Sequence, residues 1–110
     1  MREPTFWILT ALAAVPRHGY GVIREVETLS QGRIRLQAGT LYAALDRLSA
    51  EGLVELDREE TVDGRPRRYY RLTSSGATAL DEEATRLKAG AEAASAQLAA
   101  RRRFGLGLSS

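Results

Sequence analysis

The sequence predicts a mainly α chain carrying one small β-hairpin, and three observations support that class. Three stretches with helical spacing of apolar residues follow one another between Thr5 and Gly52. Two strand-like runs then flank Asp63-Gly64, a pair that favours a tight turn. A long alanine-rich stretch with apolar residues alternately three and four apart closes the chain.

The first helix is announced by Pro4, whose missing N–H costs nothing in a first turn. From Thr5 to Val15 nearly every residue is apolar, which predicts burial on all sides. In a chain of 110 residues such burial calls for a second covering body, most simply another subunit, with Leu9 at the contact. Pro16 is expected to end this helix. "HGYGVIREVETLSQG" follows, with Val22, Ile23, Val26 and Leu29 at helical spacing and Gly32 as a stop. "RIRLQ" alternates and reads as a short strand.

The stretch "QAGTLYAALDRLSAEG" is a third helix with an apolar stripe of Leu41, Ala44, Leu45 and Leu48. Gly52 stops it. Its other side is mixed: Thr40, Ala43, Asp46 and Arg47, with Tyr42 at the edge. A helix that only filled a core would not need such a face.

"LVELDREETV" and "RPRRYYRLT" form a half-buried antiparallel hairpin, with Val54 and Leu56, and Tyr70 and Leu72, alternating with charged neighbours. Thr73 caps the last helix, and Asp81, Glu82 and Glu83 lie near its beginning. Ala77, Leu80, Ala84, Leu87, Ala91, Ala94 and Leu98 form a heptad seam, which marks a pairing helix. "FGLGLSS" reads as a frayed end. Residues 1–73 thus make a winged helix-turn-helix, 74–103 a C-terminal dimerisation helix and 104–110 a flexible tail.

Composition narrows the function. A net charge of +2 offers no bulk electrostatic case for nucleic acid, so charge distribution must carry it. The absence of cysteine excludes disulfides and thiolate metal sites and fits a reducing cytoplasm, the expected location. "FWILTALAAV" is shorter than the roughly 20 residues a bilayer span needs and lacks the flanks of a signal peptide, so no membrane partner is expected. A single histidine, His18, makes neither a metal site nor a catalytic pair. With no nucleophile–base pair and no phosphate loop, the residues call for no cofactor, no metal and no enzymatic activity.

"HGYG" (His18 to Gly21), "GTLYAALDRLSAEGLV" (Gly39 to Val54) and "GRPRRYYRLTSSG" (Gly64 to Gly76) together resemble the PadR family of transcriptional regulators. The resemblance runs in order from about Phe6 to Leu80, and the short tail looks like the branch with a single C-terminal helix. It implies a dimeric winged-helix DNA binder, usually a repressor, whose C-terminal helix pairs with the first helix of its partner. Some members bind aromatic or drug-like molecules between the subunits. Many carry proline where this chain has Ala43 and an acidic residue where it has Ser49, so base preference near Ala43 is not transferable.

Residue roles follow. Arg65, Arg67, Arg68 and Arg71 place four guanidinium groups within seven residues of one strand. Taken alone such a run is usually a solvated surface; beside a recognition-type helix it reads as a DNA contact. Arg65, Arg67 and Arg68 are expected on phosphates or in a narrow minor groove. Thr40, Ala43 and Arg47 are candidates for the major groove, and Tyr42 for a phosphate or a base edge. Arg33 and Arg35 would add backbone contacts. Adjacent strand residues face opposite ways, so Tyr70 should enter the core and Tyr69 point outward, near DNA.

Phe6 and Trp7 either pack a dimer core or wall a ligand cavity between subunits. The dimer seam is assigned to Leu9, Leu80, Ala84, Leu87, Ala91, Ala94 and Leu98. The leading function is a homodimeric regulator of double-stranded DNA with a roughly palindromic operator, released by a small aromatic effector. The alternative is a winged-helix protein-interaction module that does not bind DNA.

Overall fold

The computed structural model describes residues 1–105 and contains four helices and three strands in the order α1 (Glu3–Leu12), β1 (Arg17–His18), α2 (Gly19–Leu29), α3 (Ala38–Ala50), β2 (Val54–Val62), β3 (Arg65–Leu72) and α4 (Ser74–Arg103). The chain divides into two compact units, Met1–Leu80 and Asp81–Ser110. The part of the proposed tail at residues 106–110 lies outside the described residues.

The core of the first unit is built from Ile8, Leu9 and Leu12 of α1, Val22 and Val26 of α2, and Leu41, Leu45 and Leu48 of α3. Val54 and Tyr70 close it from the sheet. The stripe read from α3 is therefore its inward face: Leu41, Leu45 and Leu48 are fully buried. A substitution such as Leu45→Ala would leave a cavity at the centre, costing about 2–5 kcal/mol.

The first helix differs from expectation. It ends at Leu12, short of Pro16, because proline disfavours helical geometry in the residue before it. The freed carbonyl of Ala11 accepts a hydrogen bond from Arg17 Nε at 2.8 Å. The burial predicted for α1 is also supplied within one chain: Ile8, Leu9, Ala11 and Leu12 are core, while Phe6, Trp7 and Thr10 remain half-buried. Leu9 is 0% exposed and so has no surface to offer a second subunit.

The sheet holds one strand more than the expected hairpin. Its order is β1-β3-β2, all antiparallel, with Arg17 opposite Tyr70 and His18 opposite Tyr69. The segment Arg33–Gln37 is not a strand, although its burial alternates as expected, with Ile34 and Leu36 packed on the core. The edge of β3 that the hairpin leaves open is taken by β1, and the segment pairs with no strand of the sheet. A turn through Gln31 and Gly32 at positive φ and a bond from Ile34 N to Ser30 Oγ at 3.0 Å shape it instead.

The hairpin turns at Asp63 and Gly64, both at positive φ (52° and 75°), the signature of a type I′ turn. A bulge between Leu56 and Arg58 interrupts the register. Leu56, expected to be half-buried, is 42% exposed, since the ribbon beyond Val54 extends past the core.

Thr73 caps α4 as expected: Gly76 N donates to its Oγ1 at 3.0 Å, and that hydroxyl donates to Gly52 O at 2.6 Å. Gly76 is buried against the carbonyl of Leu53, where a β-carbon would collide. In the second unit α4 continues to Arg103 as an unbroken helix, with Arg86 and Glu83 in a two-bond pair at 2.7 and 2.8 Å.

Candidate nucleic-acid interface

The leucine stripe anchors α3 so firmly that its opposite side must face water, and Thr40, Tyr42, Ala43, Asp46 and Arg47 are all exposed. At about 100° per residue, Tyr42 falls on one flank, Thr40 and Arg47 on the other, and Ala43 and Asp46 between them. Each flank borders a hollow.

Tyr42 faces a hollow lined by His18, Gly19 and Tyr20 from the start of α2 and by Arg65, Arg67 and Arg68 from the wing. Its ring lies against Gly19, where a β-carbon would meet the hydroxyl oxygen and the ring carbon Cζ, the latter at 2.7 Å. The motif "HGYG" thus makes its close approach at Gly19. At Gly21 an added β-carbon would make only ordinary contacts, the nearest at 3.6 Å.

His18 accepts a hydrogen bond from Gly21 N through Nδ1 and so caps α2. Burial, and next the nearby charge of Arg67, hold its imidazole below the ordinary value of 6.5. Tyr20 is 63% exposed in the same hollow and had not been singled out from the sequence. Its position in the first turn after the cap, beside the reading helix, was the available signal.

On the other flank Thr40, Ala43 and Arg47 share a hollow with Arg2, Pro4 and Thr5 at the start of α1. Arg47 donates to Thr5 Oγ1 at 3.0 Å and pairs with Glu51 at 3.5 Å. Arg2 is a second candidate that sequence reasoning missed, because only the fold brings the chain's beginning beside α3.

The wing is electrically more selective than its arginine run implies. Residues 54–72 hold five arginines against five carboxylates, and the register sets many of them side by side. Arg71 pairs with Glu55 at 2.9 Å and Asp57 at 3.5 Å, Arg68 with Glu59 at 3.6 Å, and Arg58 with Asp57 and Glu60, both at 2.8 Å. The bond from Arg58 also holds the Glu60 carboxyl below its usual range. Among the described residues, Arg65 and Arg67 alone of the wing's arginines have no carboxylate within ion-pairing distance.

Tyr69 is half-buried, with the Arg58 guanidinium 4.0 Å over its ring and His18 edge-on at 5.4 Å. Part of its ring is therefore engaged within the fold rather than turned fully outward. Tyr70 is core, as expected, at 4% exposure. Arg33 and Arg35 are exposed but engaged, Arg33 with Glu3 and Arg35 with Glu27 at 3.4 Å.

The remaining sites divide between the two units. Phe6 and Trp7 contact edge to face at 5.3 Å, and Trp7 also packs on the core. Leu80 packs on that same core. In the second unit Ala84, Leu87, Ala91, Ala94 and Leu98 are all exposed. No group of three or more His, Cys, Asp or Glu among the described residues could hold a metal, and none of their helices is long and apolar enough to cross a membrane.

A reading helix anchored behind by leucines, with guanidinium groups at both flanks and a β-ribbon beside it, defines a winged-helix protein. The chain belongs to the PadR-like family of transcriptional regulators, whose model matches residues 8–82. It is 44% identical over 66 residues to the transcriptional regulator Rv3488 of Mycobacterium tuberculosis, a match spanning 60% of this chain and 58% of that relative, under two thirds of its length.

Solved structures agree on the fold. A PadR family transcriptional regulator from Eggerthella lenta superposes with a TM-score of 0.69 at 26% identity, over 86% of this chain and 80% of that one. Bacillus subtilis PadR in complex with operator DNA gives a TM-score of 0.66 at 22% identity, over 74% of this chain and 47% of that one.

Proposed function

We propose that the chain is a homodimeric repressor that reads a roughly palindromic operator in double-stranded DNA. The observation that carries this reading is the exposed side of α3, set between the unpaired Arg65 and Arg67 on one flank and Arg2 and Arg47 on the other. A helix enters the major groove, roughly 12 Å wide, while guanidinium groups beside it meet the phosphates that border the groove. The operator complex of Bacillus subtilis PadR supports the same use of the fold.

Arg65 and Arg67 supply affinity; Thr40, Tyr42, Ala43, Asp46 and Arg47 face the bases. The exposed leucines of α4 support a dimer, and two-fold symmetry implies half-sites about 10 bp or a multiple apart. A small aromatic or drug-like effector at Phe6 and Trp7, between subunits in the cytoplasm, would release the operator by favouring a dimer with mismatched spacing.

Selection of bound DNA from a random pool tests the reading, and recovery of a palindrome is expected. No retention of DNA at low salt, together with a stoichiometric complex with another protein, would instead select an interaction module.

A further inference from the structure

Two hollows border the α1 flank of α3, and both are lined by Arg2, Thr5 and Arg47. One, of about 380 Å³, runs along Pro4, Ile8, Leu36, Ala43 and Ala44. The other, of about 450 Å³, extends toward Glu51 and Leu53. Every one of these residues belongs to the first unit. Both volumes fall within the range of small-molecule sites.

The cations shared by the hollows hold donors in reserve. The Arg2 side chain is exposed and makes no hydrogen bond or ion pair among the described residues. Arg47 uses Nη2 on Thr5 Oγ1 and Nη1 on Glu51, which leaves three of its five N–H groups open. Thr5 is 7% exposed, so its hydroxyl oxygen is a fixed point that orients the Arg47 guanidinium. Among the lining side chains two guanidinium groups face one carboxylate, that of Glu51, and the neighbouring Glu3 is already engaged by Arg33. The surplus is a single positive charge.

We propose that this flank binds a small aliphatic carboxylate, its head group between Arg2 and Arg47 and its chain along Pro4, Leu36 and Ala44, in direct competition with DNA. The competition rests on the function proposed above; the binding of the carboxylate does not. One surplus charge matches a monoanion, whereas a phosphate dianion would leave a buried charge uncompensated. Guanidinium groups meet a planar carboxylate through two parallel hydrogen bonds. The apolar residues of the smaller hollow are all aliphatic, so its wall gains from buried methylenes and offers no ring on which to stack.

Arg2 can close over the head group without giving up an existing bond. A carboxylate seated there takes the Arg47 donors that a base edge needs, and its chain lies under Thr40 and Ala43. Occupation therefore blocks the reading side of α3 within one chain. No change in the spacing of a dimer is required, unlike release by an effector at Phe6 and Trp7.

Calorimetric titration of the protein alone with octanoate, octanol and inorganic phosphate tests the site. Octanoate should bind, and the other two at least about tenfold more weakly, because one lacks the charged head and the other the apolar body. Arg2→Gln should weaken octanoate about tenfold at an unchanged melting temperature. Arg67→Gln, in the hollow on the other flank, should leave octanoate binding unaltered. Octanol binding as well as octanoate, or octanoate binding that ignores Arg2→Gln, would overturn the site, as would no binding at millimolar octanoate. With operator DNA present, the apparent dissociation constant should rise in proportion to octanoate without a plateau. A plateau would overturn direct competition, since a shift between two conformations saturates. A protein that takes up octanoate but retains no DNA at low salt would keep the site and remove the proposed repressor function, a distinct failure.

Discussion

Tyr42 of the reading helix stands where a side chain on Gly19 would have to be. A β-carbon there would meet the ring carbon Cζ at 2.7 Å and collide with the hydroxyl. Because Tyr42 is 47% exposed, its ring can swing aside into water. Gly19→Ala should therefore cost little stability, about 1 kcal/mol, while lowering affinity for the selected operator severalfold. Paired thermal melts and binding isotherms separate the two. A large loss of melting temperature with unchanged affinity would show that the contact serves packing alone.

The unequal pairing of the wing arginines gives a ranking. Arg65→Ala and Arg67→Ala should each weaken binding to all DNA sequences and reduce the salt slope by about one. Arg68→Ala and Arg71→Ala should do less, because carboxylates of the facing strand already compete for those groups. Affinities measured across a salt series would test the order, and equal effects for all four would refute it.

Arg47 faces the opposite flank, and its bonds to Thr5 and Glu51 must loosen or be shared for it to read a base. Arg47→Ala should relax preference at particular base pairs, by about 1–3 kcal/mol of discrimination at each. Competition between operator variants and random DNA is the measurement. An equal loss on both would place Arg47 outside base reading.

Gly76 has no such latitude as Gly19. A β-carbon there would collide with the Leu53 carbonyl oxygen and stand 2.8 Å from Leu72 Cδ1, and backbone cannot swing aside. Gly76→Ala should cost about 3 kcal/mol, read as a lowered midpoint in urea unfolding. Ser75→Ala beside it, at an exposed position, should be nearly neutral.

The cap at His18 makes stability depend on pH. Its imidazole is held below 6.5 in the fold, so the unfolded chain takes up this proton first as pH falls. The contribution is fully present above about 6.5 and is lost as pH falls through the window below it. His18→Asn keeps a capping acceptor that does not titrate. Melting temperatures from pH 7.5 down to pH 5 should therefore fall less steeply in the variant than in the parent, once the carboxylates common to both are subtracted. Parallel curves would exclude His18 as the source.

The parts of the site that lie on one element were legible in the sequence. The stripe of α3 depends on leucines three and four apart, so its exposed side followed from helical period alone. The Asp63-Gly64 turn and the Thr73 cap are likewise local chemistry. Relations between elements were not legible. The arginine run of β3 looked uniformly basic because its countercharges sit on β2, and only the strand register shows which arginines they reach. The two-residue β1 gives no periodic signal, and only the fold shows that it pairs with β3.

By itself, then, the sequence determined the order of the helices, which side of α3 turns to solvent, and that a ribbon follows it, since these depend on periodicity and on single-residue backbone preferences. Tertiary structure alone decided that Leu9 serves its own core, that Arg65 and Arg67 are the wing's unpaired cations, and that Arg2 and Tyr20 flank the reading helix. Burial and charge pairing are properties of neighbours distant in sequence, and no local pattern specifies them.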